Sequence, residues 1–222
     1  MILFDFFRIY GHDSRMLLVV IAAWVLSVMI AICAHEWAHA FAAYKNGDPT
    51  AKVSGRMTLN PKKHLEPVGF LMLLLVGIGW AKPVPVNPFN FRNFKKANFW
   101  VSIAGVLTNF IIAFVASFFI ALLIFLVPNP GFWWWAAITF LSFLMMINLA
   151  LMLFNLLPIP PLDGFNLLKS FTKPNNRYMQ FARNNAMTLI MVVLVLSFIG
   201  FGIFQLVPHI QRAFFWLWGL IF

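Results

Sequence analysis

The sequence predicts an all-α polytopic membrane protein with about four transmembrane helices, a re-entrant hairpin and interfacial N- and C-terminal segments. Composition is the first observation behind this fold class: of 222 residues, 62% are apolar and only 10% are charged, which is typical of proteins whose solvent is the bilayer. The second is a series of apolar runs near the roughly 20 residues that a membrane-spanning helix needs. A separate soluble domain needs on the order of 100 residues, so we expect residues 1–222 to form a single membrane-embedded domain.

The elements are predicted from the N-terminus onward. The first ten residues combine apolar bulk with Asp5 and Arg8, which favours a short interfacial helix. At the other end of the chain, the tail after Pro208 is aromatic and too short to cross. We therefore expect it to lie at the interface. A tight turn at 127–131 joins the second and third spans. The predicted spans themselves are residues 16–44, 98–127, 132–157 and 187–207.

The apolar run at 68–81 is too short for a straight crossing and contains three glycines, which favours a re-entrant hairpin. The positive-inside rule supports this interpretation. If 68–81 does not cross, the loops 45–66, 82–97 and 158–186 share one side and carry 13 of the 16 lysines and arginines. We therefore predict an outside N-terminus and a re-entrant element that enters from the cytoplasm.

The net charge of +10 raises the question of nucleic-acid binding, because basic surfaces track phosphate backbones. In a membrane protein, cytoplasmic loops rich in lysine and arginine explain the same charge through topology and contact with anionic lipid. We therefore expect no nucleic-acid partner, and a multi-pass protein of the cell membrane.

The first span contains the pattern H-E-x-x-H, formed by His35, Glu36 and His39. Residues four apart lie on one face of a helix, so both imidazoles can bind one zinc ion while Glu36 stays beside them as a general base. A pair of structural histidines with a neutral glutamic acid is the alternative. Ionisable groups inside a bilayer are costly and usually functional, which favours the metal site.

A catalytic zinc typically has three protein ligands and one open position, so a third ligand is needed elsewhere in the chain. The chain has only six acidic residues, and four of them lie in polar or interfacial stretches. With Glu36 as the base, Asp163 is left as the third ligand. It follows three prolines that prevent the preceding helix from continuing, so the chain can bend back at membrane depth. A capped Asp-Gly turn is the alternative.

At these residues the sequence resembles the site-2 protease family of intramembrane zinc metalloproteases, especially its small bacterial members without PDZ or CBS domains. The resemblance runs from about Ala34 to Leu168, and the catalytic core is expected at about 16–168. It includes HEWAHA, GDPTAKVSGRMTLNPKKH, GWAKPVPVNP, AGVLTN and NLLPIPPLDG. The resemblance implies one zinc ion per chain held by His35, His39 and Asp163, with Glu36 as the catalytic glutamate. It also implies a transmembrane protein substrate. The predicted topology places the H-E-x-x-H pattern near the cytoplasmic end of its span, so we expect the active site toward the cytoplasm.

Contacts to the substrate are predicted at two places. An oxyanion needs hydrogen-bond donors, for which Asn109, Asn148 and Asn155 are candidates, and the family resemblance draws most attention to Asn155. Asparagines in spans also simply bond neighbouring helices. Pro83 and Val84 lie in a segment that prolines keep extended, so it either presents an edge to an unwound substrate strand or is a rigid loop.

Two other hypotheses use the same residues differently. A metal or ion transporter would use the histidines and carboxylates as a permeation site, and a non-catalytic scaffold would retain them without turnover. His64 and Glu66 precede the re-entrant run and either approach the site from the cytoplasmic side or lie outside it; we expect His64 to be a surface histidine.

Overall fold

The computed structural model of the chain describes residues 2–76, 79–127, 131–173 and 176–222. Two of the predicted elements fall partly outside these residues: the turn at 127–131 lacks 128–130, and the run at 68–81 lacks 77 and 78. The described residues form helices and short turns, with no named strand among them. The helices are α1 Ile2–Tyr10, α2 Ser14–Lys45, α3 Thr50–Val53, α4 Pro61–His64, α5 Pro67–Val76, α6 Phe94–Leu126, α7 Phe132–Asn155, α8 Asp163–Lys169, α9 Arg177–Asn184, α10 Ala186–Phe198 and α11 Leu206–Trp218.

Helices α2, α6 and α7 form the centre of the fold and pack against one another. Among the described residues, these three helices are long and apolar enough to cross a bilayer by themselves. Small side chains line their contacts: Ala31 and Ala113 are completely buried and Ala116 is 2% exposed. Small residues let helix backbones approach closely where lipid provides no hydrophobic drive for association. The polytopic all-α class is therefore confirmed.

The chain segments on either side of the run at 68–81 lie next to each other. Helix α5 has 10 residues, about 15 Å, which is half of the roughly 30 Å hydrocarbon core. Leu65 forms an antiparallel bridge with Ala81, and the N–H of Lys82 donates to the carbonyl of His64 at 2.8 Å. Both ends of the run therefore meet, as a re-entrant element requires and a crossing helix does not allow.

The fourth predicted span, 187–207, is not a continuous helix. Helix α10 ends at Phe198, and Gly200 and Gly202 follow with φ angles of +84° and +153°, in a region that favours glycine. Helix α10 alone is too short to cross. Helices α9 and α10 are bent by 76° at their junction, and they supply a fourth span only if the bent pair crosses as one.

The C-terminal helix α11 packs one aromatic face on α6. Its Trp218 is 8% exposed, and the indole N–H of Trp218 donates to the Ser117 hydroxyl at 2.8 Å. The ring of Phe214 lies 5.1 Å from that of Phe114. Part of the tail that was predicted to lie at the interface is thus buried against a spanning helix.

Candidate metal centre

His35 and His39 lie together on the buried face of α2. The helix is continuous from Ser14 to Lys45, so residues four apart come one above the other. Their imidazole centroids are 4.5 Å apart, and their Nε2 atoms are separated by 2.9 Å. Both residues are less than 10% exposed. The two nitrogens thus face one point between the rings.

Asp163 joins the histidine pair from a distant part of the chain. It is the first residue of α8, where a negative side chain is favourable at a helix N-terminus. Its Oδ2 atom lies 3.2 Å from the Nε2 atoms of both His35 and His39. The ligand atoms of the three residues all lie within 4.8 Å of one another.

The backbone next to Asp163 explains why an Asp-Gly pair stands there. A side chain at Gly164 would collide with the carbonyl oxygens of Leu156 and Leu157 at the end of α7. Glycine therefore lets α8 begin directly beside that end, which directs the carboxylate of Asp163 toward α2. The chain folds here as the start of a helix, and not as the capped Asp-Gly turn that was the alternative.

Helix α6 supports the histidines through two backbone contacts. A Cβ atom at Gly105 would lie 2.6 Å from His35 Cε1 and 2.6 Å from His39 Nε2, so only glycine allows this approach. The Nδ1 of His39 lies 2.7 Å from the carbonyl oxygen of Val101. Because a carbonyl only accepts, Nδ1 is the protonated nitrogen and Nε2 of the neutral ring keeps its lone pair toward the cluster.

These residues fit a zinc ion. Two imidazole nitrogens and one carboxylate oxygen are a donor set found in catalytic zinc sites, with a fourth position open. A carboxylate is buried here beside two histidines, and one of these, His39, bonds the carbonyl of Val101 through its other ring nitrogen. Both features are expected around a bound cation. The Nδ1 atom of His35 has no hydrogen-bond partner among the described residues, so the ring can turn slightly without losing one.

Glu36 is half-buried and points to a different neighbour from the two histidines. Its Oε2 atom accepts a hydrogen bond of 2.7 Å from the backbone N–H of Val84. The segment predicted to hold substrate thus passes directly over the predicted base. Pro83 and Val84 both line the same cavity as Glu36.

The segment 82–87 is fastened on both sides of Val84. Upstream, the guanidinium of Arg56 donates to the carbonyl oxygens of Lys82 at 2.7 Å and Pro83 at 3.2 Å. Downstream, the N–H of Asn87 donates to Asp48 Oδ2 at 2.7 Å. Sequence reasoning missed both charged residues, because each lies in a loop more than 25 positions before its partner. Their presence in a polar loop was the sole available signal.

Asp48 is a completely buried carboxylate. Burial raises its pKa, but hydrogen bonds from Thr50, Asn90 and Asn87 outweigh this effect and hold the pKa below its usual value. A carboxylate that accepts several hydrogen bonds is stabilised in its charged form. Asp48 is therefore an ionised group inside the protein, about which two loops are arranged.

A cavity of about 690 Å³ opens beside the cluster. Apolar side chains from α2, α5, α6 and α7 and from the extended chain on either side of Val84 make up most of its wall. Its ionisable lining residues are His35, Glu36, His39, Asp163 and Lys169. Burial lowers the pKa of Lys169, and the nearby Arg183 lowers it further. The space is large enough for an extended peptide of a few residues and exposes it to the cluster and to Glu36.

The three candidate asparagines differ in their position relative to the cavity. Asn155 lines the cavity and donates one amide hydrogen to the carbonyl of Leu151 at 3.0 Å, which leaves its second amide hydrogen for another acceptor. Asn109 is completely buried, and neither of its amide atoms has a partner among the described residues. Neither Asn109 nor Asn148 is a lining residue of the cavity.

His64 was expected at the surface, and this expectation is wrong. The side chain is completely buried, and its Nε2 atom lies 2.6 Å from the carbonyl oxygen of Thr58. The pairing of Leu65 with Ala81 brings the returning chain next to it. The contact joins two parts of the loop that precedes α5.

Comparison with known proteins gives a consistent family assignment. The model of peptidase family M50 matches residues 127–198, a stretch that contains Asp163 but not the H-E-x-x-H pattern. The chain is 44% identical to YwhC of Bacillus subtilis over 158 residues, which cover 69% of this chain and 70% of YwhC. It is 30% identical to Rip2 of Mycolicibacterium smegmatis over 202 residues, or 86% of this chain and 71% of Rip2. Both relatives are named "Putative zinc metalloprotease". No solved structure matches the chain.

Proposed function

Because the chain belongs to peptidase family M50 and is a zinc metalloprotease, we propose that it cleaves a peptide bond in or near a transmembrane segment of another membrane protein. The observation that carries this proposal is the meeting of His35, His39 and Asp163 beside Glu36, in a cavity lined by α2, α6, α7 and the segment 82–87. A metallopeptidase needs metal ligands, a base and room for an extended backbone, and these three features lie together there.

The metal ligands in this proposal are His35, His39 and Asp163, with one zinc ion per chain. A bound zinc supplies a Lewis acid and lowers the pKa of a water molecule to about 7. The hydrogen bond from His39 Nδ1 to Val101 orients one ligand, and Gly105 keeps the space between the ligands and α6 free of side-chain atoms.

Glu36 is the proposed general base. Its place in the helix, directly after one ligand and three residues before the other, keeps the carboxylate at the edge of the cluster. It accepts the proton of the attacking water and passes it to the leaving amine. Since its Oε2 atom holds the Val84 N–H, this oxygen also fixes the distance between the base and the segment 82–87.

The substrate is proposed to add as a strand along 82–87. A helix keeps its peptide groups in internal hydrogen bonds, so the substrate must unwind before its scissile carbonyl is accessible. Pro83 and Val84 lie in an extended stretch that lines the cavity, which is the geometry that strand addition requires. The free amide hydrogen of Asn155 is the proposed donor for the developing oxyanion.

The proposed location is the cell membrane, with the active site toward the cytoplasm. The basic loops and the returning ends of the re-entrant run support this orientation, by the positive-inside rule. The cavity-lining residues lie between 28 and 169, in agreement with a proposed catalytic core at about 16–168 of one membrane-embedded domain.

The decisive variant is Glu36→Gln, which keeps the size of the side chain and an oxygen that accepts from Val84. We expect it to retain zinc and to lose at least about a hundredfold in cleavage, in keeping with the contribution of a general base. The assay is cleavage of labelled single-span membrane proteins reconstituted with the enzyme in vesicles, with zinc measured on the same samples.

Glu66→Gln is the matched control. Glu66 accepts from the N–H of Gly69 at the start of α5 and is not a lining residue of the cavity, so this variant should cleave at the parent rate. The proposal fails if Glu36→Gln cleaves as fast as the parent, or if the zinc-loaded parent cleaves none of the substrates. A transporter would show the second outcome.

A further inference from the structure

The buried carboxylate of Asp48 divides its hydrogen bonds unequally between two loops. Its Oδ1 atom accepts from the backbone N–H of Thr50 at 3.1 Å, from the Thr50 hydroxyl and from the Asn90 amide at 2.8 Å. Its Oδ2 atom accepts from the Asn87 N–H alone, at 2.7 Å. Oδ1 therefore joins the Asp48 loop to the turn after the segment 82–87, and Oδ2 alone holds the last backbone N–H of the segment itself.

The segment from Val84, whose N–H bonds Glu36, to Asn87 is short and stiff. Asn87 lies three residues after Val84, a distance of about 10 Å in an extended chain. Pro85 lies between them and Pro88 follows, and proline fixes one of the two backbone dihedral angles of its residue. A displacement at Asn87 is therefore transmitted to the N–H of Val84, which bonds the carboxylate of Glu36.

A merely structural loop does not require a charge at this position. Burying an ionised carboxylate costs free energy unless several donors compensate it, and neutral side chains can cap a turn of this kind. The compensation at Asp48 comes from both loops at once. Hydrogen bonds to a charged group are about twice as strong as those between neutral groups, so the carboxylate gives the Asn87 contact a strength that a serine or asparagine would not.

We propose that Asp48 is a positioning residue: through the Asn87 N–H it holds the segment 82–87 in its place over Glu36, and thereby sets the affinity of that segment for a substrate strand. This inference rests on the proposed use of that segment for substrate binding. Asp48 does not line the cavity and acts only through the segment. The effect of losing it belongs to substrate binding more than to zinc binding.

The variant Asp48→Asn tests the inference because it breaks one contact selectively. An amide has one oxygen and one NH₂ group, and three of the four donors converge on Oδ1. The amide oxygen of the new side chain satisfies these three by taking the place of Oδ1. Its NH₂ group then faces the Asn87 N–H, donor against donor, and the contact to the segment is lost.

Thr50→Val is the matched control. It removes the hydrogen bond that the Thr50 hydroxyl donates to the same carboxylate and the one that it accepts from the Asn90 amide at 3.3 Å, and leaves the Asn87 contact in place. Both variants weaken the loop, and only Asp48→Asn releases the segment 82–87.

The first measurement is hydrogen–deuterium exchange of the full-length protein in detergent. We expect the amides in 84–87 to exchange about tenfold faster in Asp48→Asn than in the parent, with unchanged exchange in α2 and unchanged zinc content. Thr50→Val should match the parent in 84–87. Equal exchange of the two variants in 84–87 overturns the inference without any reference to activity.

The second measurement is the kinetics of a labelled single-span membrane protein that the parent cleaves. For Asp48→Asn we expect KM to rise about tenfold and kcat to change less than about threefold, while Thr50→Val keeps both values. A fall in kcat with unchanged KM indicates loss of folded enzyme and contradicts a positioning role. A parent that cleaves no such protein refutes the proposed function, and the exchange result still decides the role of Asp48 in the fold.

Discussion

At Gly105, the absence of a side chain lets α6 touch both imidazoles. The glycine lies in the interior of a 33-residue helix, where glycine costs about 1 kcal/mol relative to alanine. Glycine is nevertheless required here, because the Cβ atom of any other residue would come within 2.6 Å of each imidazole ring. The position therefore favours the geometry of the metal centre over the stability of the helix.

Gly105→Ala should consequently stabilise the isolated helix and damage the centre. Overpacking at such a contact costs about 1–3 kcal/mol, which outweighs the gain in helix propensity, and displaced ligands weaken metal affinity by about tenfold or more. We expect lower zinc affinity in a titration with a competing chelator. Gly131→Ala is the control, because nothing lies within 4 Å of the added Cβ atom; equal affinity in both variants would contradict this reading of Gly105.

The residues of the centre differ in how far sequence could predict them. The spacing of His35 and His39 fixes their common face from helix geometry alone, and the scarcity of acidic residues singles out Asp163. Gly105, Asp48 and Arg56 could not be found in this way. Each acts through a tertiary contact with a residue more than 25 positions away, and nothing in the local sequence shows which partner the chain will bring near.

At the scale of elements, hydropathy predicted the bounds of the three central helices well, and it predicted the bounds of the helical segment at 187–207, where α10 has no buried residue, less well. Helices α2, α6 and α7 cover the predicted spans 16–44, 98–127 and 132–157 to within a few residues at most boundaries. The span at 187–207 has similar hydropathy, yet the chain turns at Gly200 and Gly202. An average over about 20 residues does not register two glycines whose φ angles end the helix.

The returning geometry of the re-entrant element leads to a prediction about topology. Since Leu65 pairs with Ala81, the loops before and after α5 must open on the same side of the membrane. In a Cys33→Ala background, Lys63→Cys and Lys95→Cys should react with an impermeant maleimide from one side, the cytoplasmic side. Gly131→Cys, at the start of α7, should react from the other side. Labelling of the Lys63 and Lys95 positions from opposite sides would show that the run crosses.

At the scale of the whole molecule, the centre joins parts of the chain that are far apart in sequence. His35 and Asp163 are separated by the re-entrant element and by two spanning helices. Helix α8 packs on α6, and α6 packs on α2 through Gly105. Without a metal ion, the carboxylate of Asp163 is buried with no compensating cation, so the closed arrangement is expected to gain stability when zinc binds.

Removal of zinc should therefore lower the thermal stability of the entire helical bundle. A ligand present at a hundred times its Kd stabilises the folded state by about 2.7 kcal/mol, which for a chain of this size corresponds to about 5–10 °C in Tm. We expect a chelator to lower the Tm of the purified protein by this amount and added zinc to restore it. Asp163→Ala should start from a lower Tm and show no response to the chelator, because a ligand is missing. His209→Ala, which removes an exposed histidine of α11, should respond like the parent. If Asp163→Ala kept the full response, the metal would be held elsewhere, and the link between α2 and α8 would not depend on zinc.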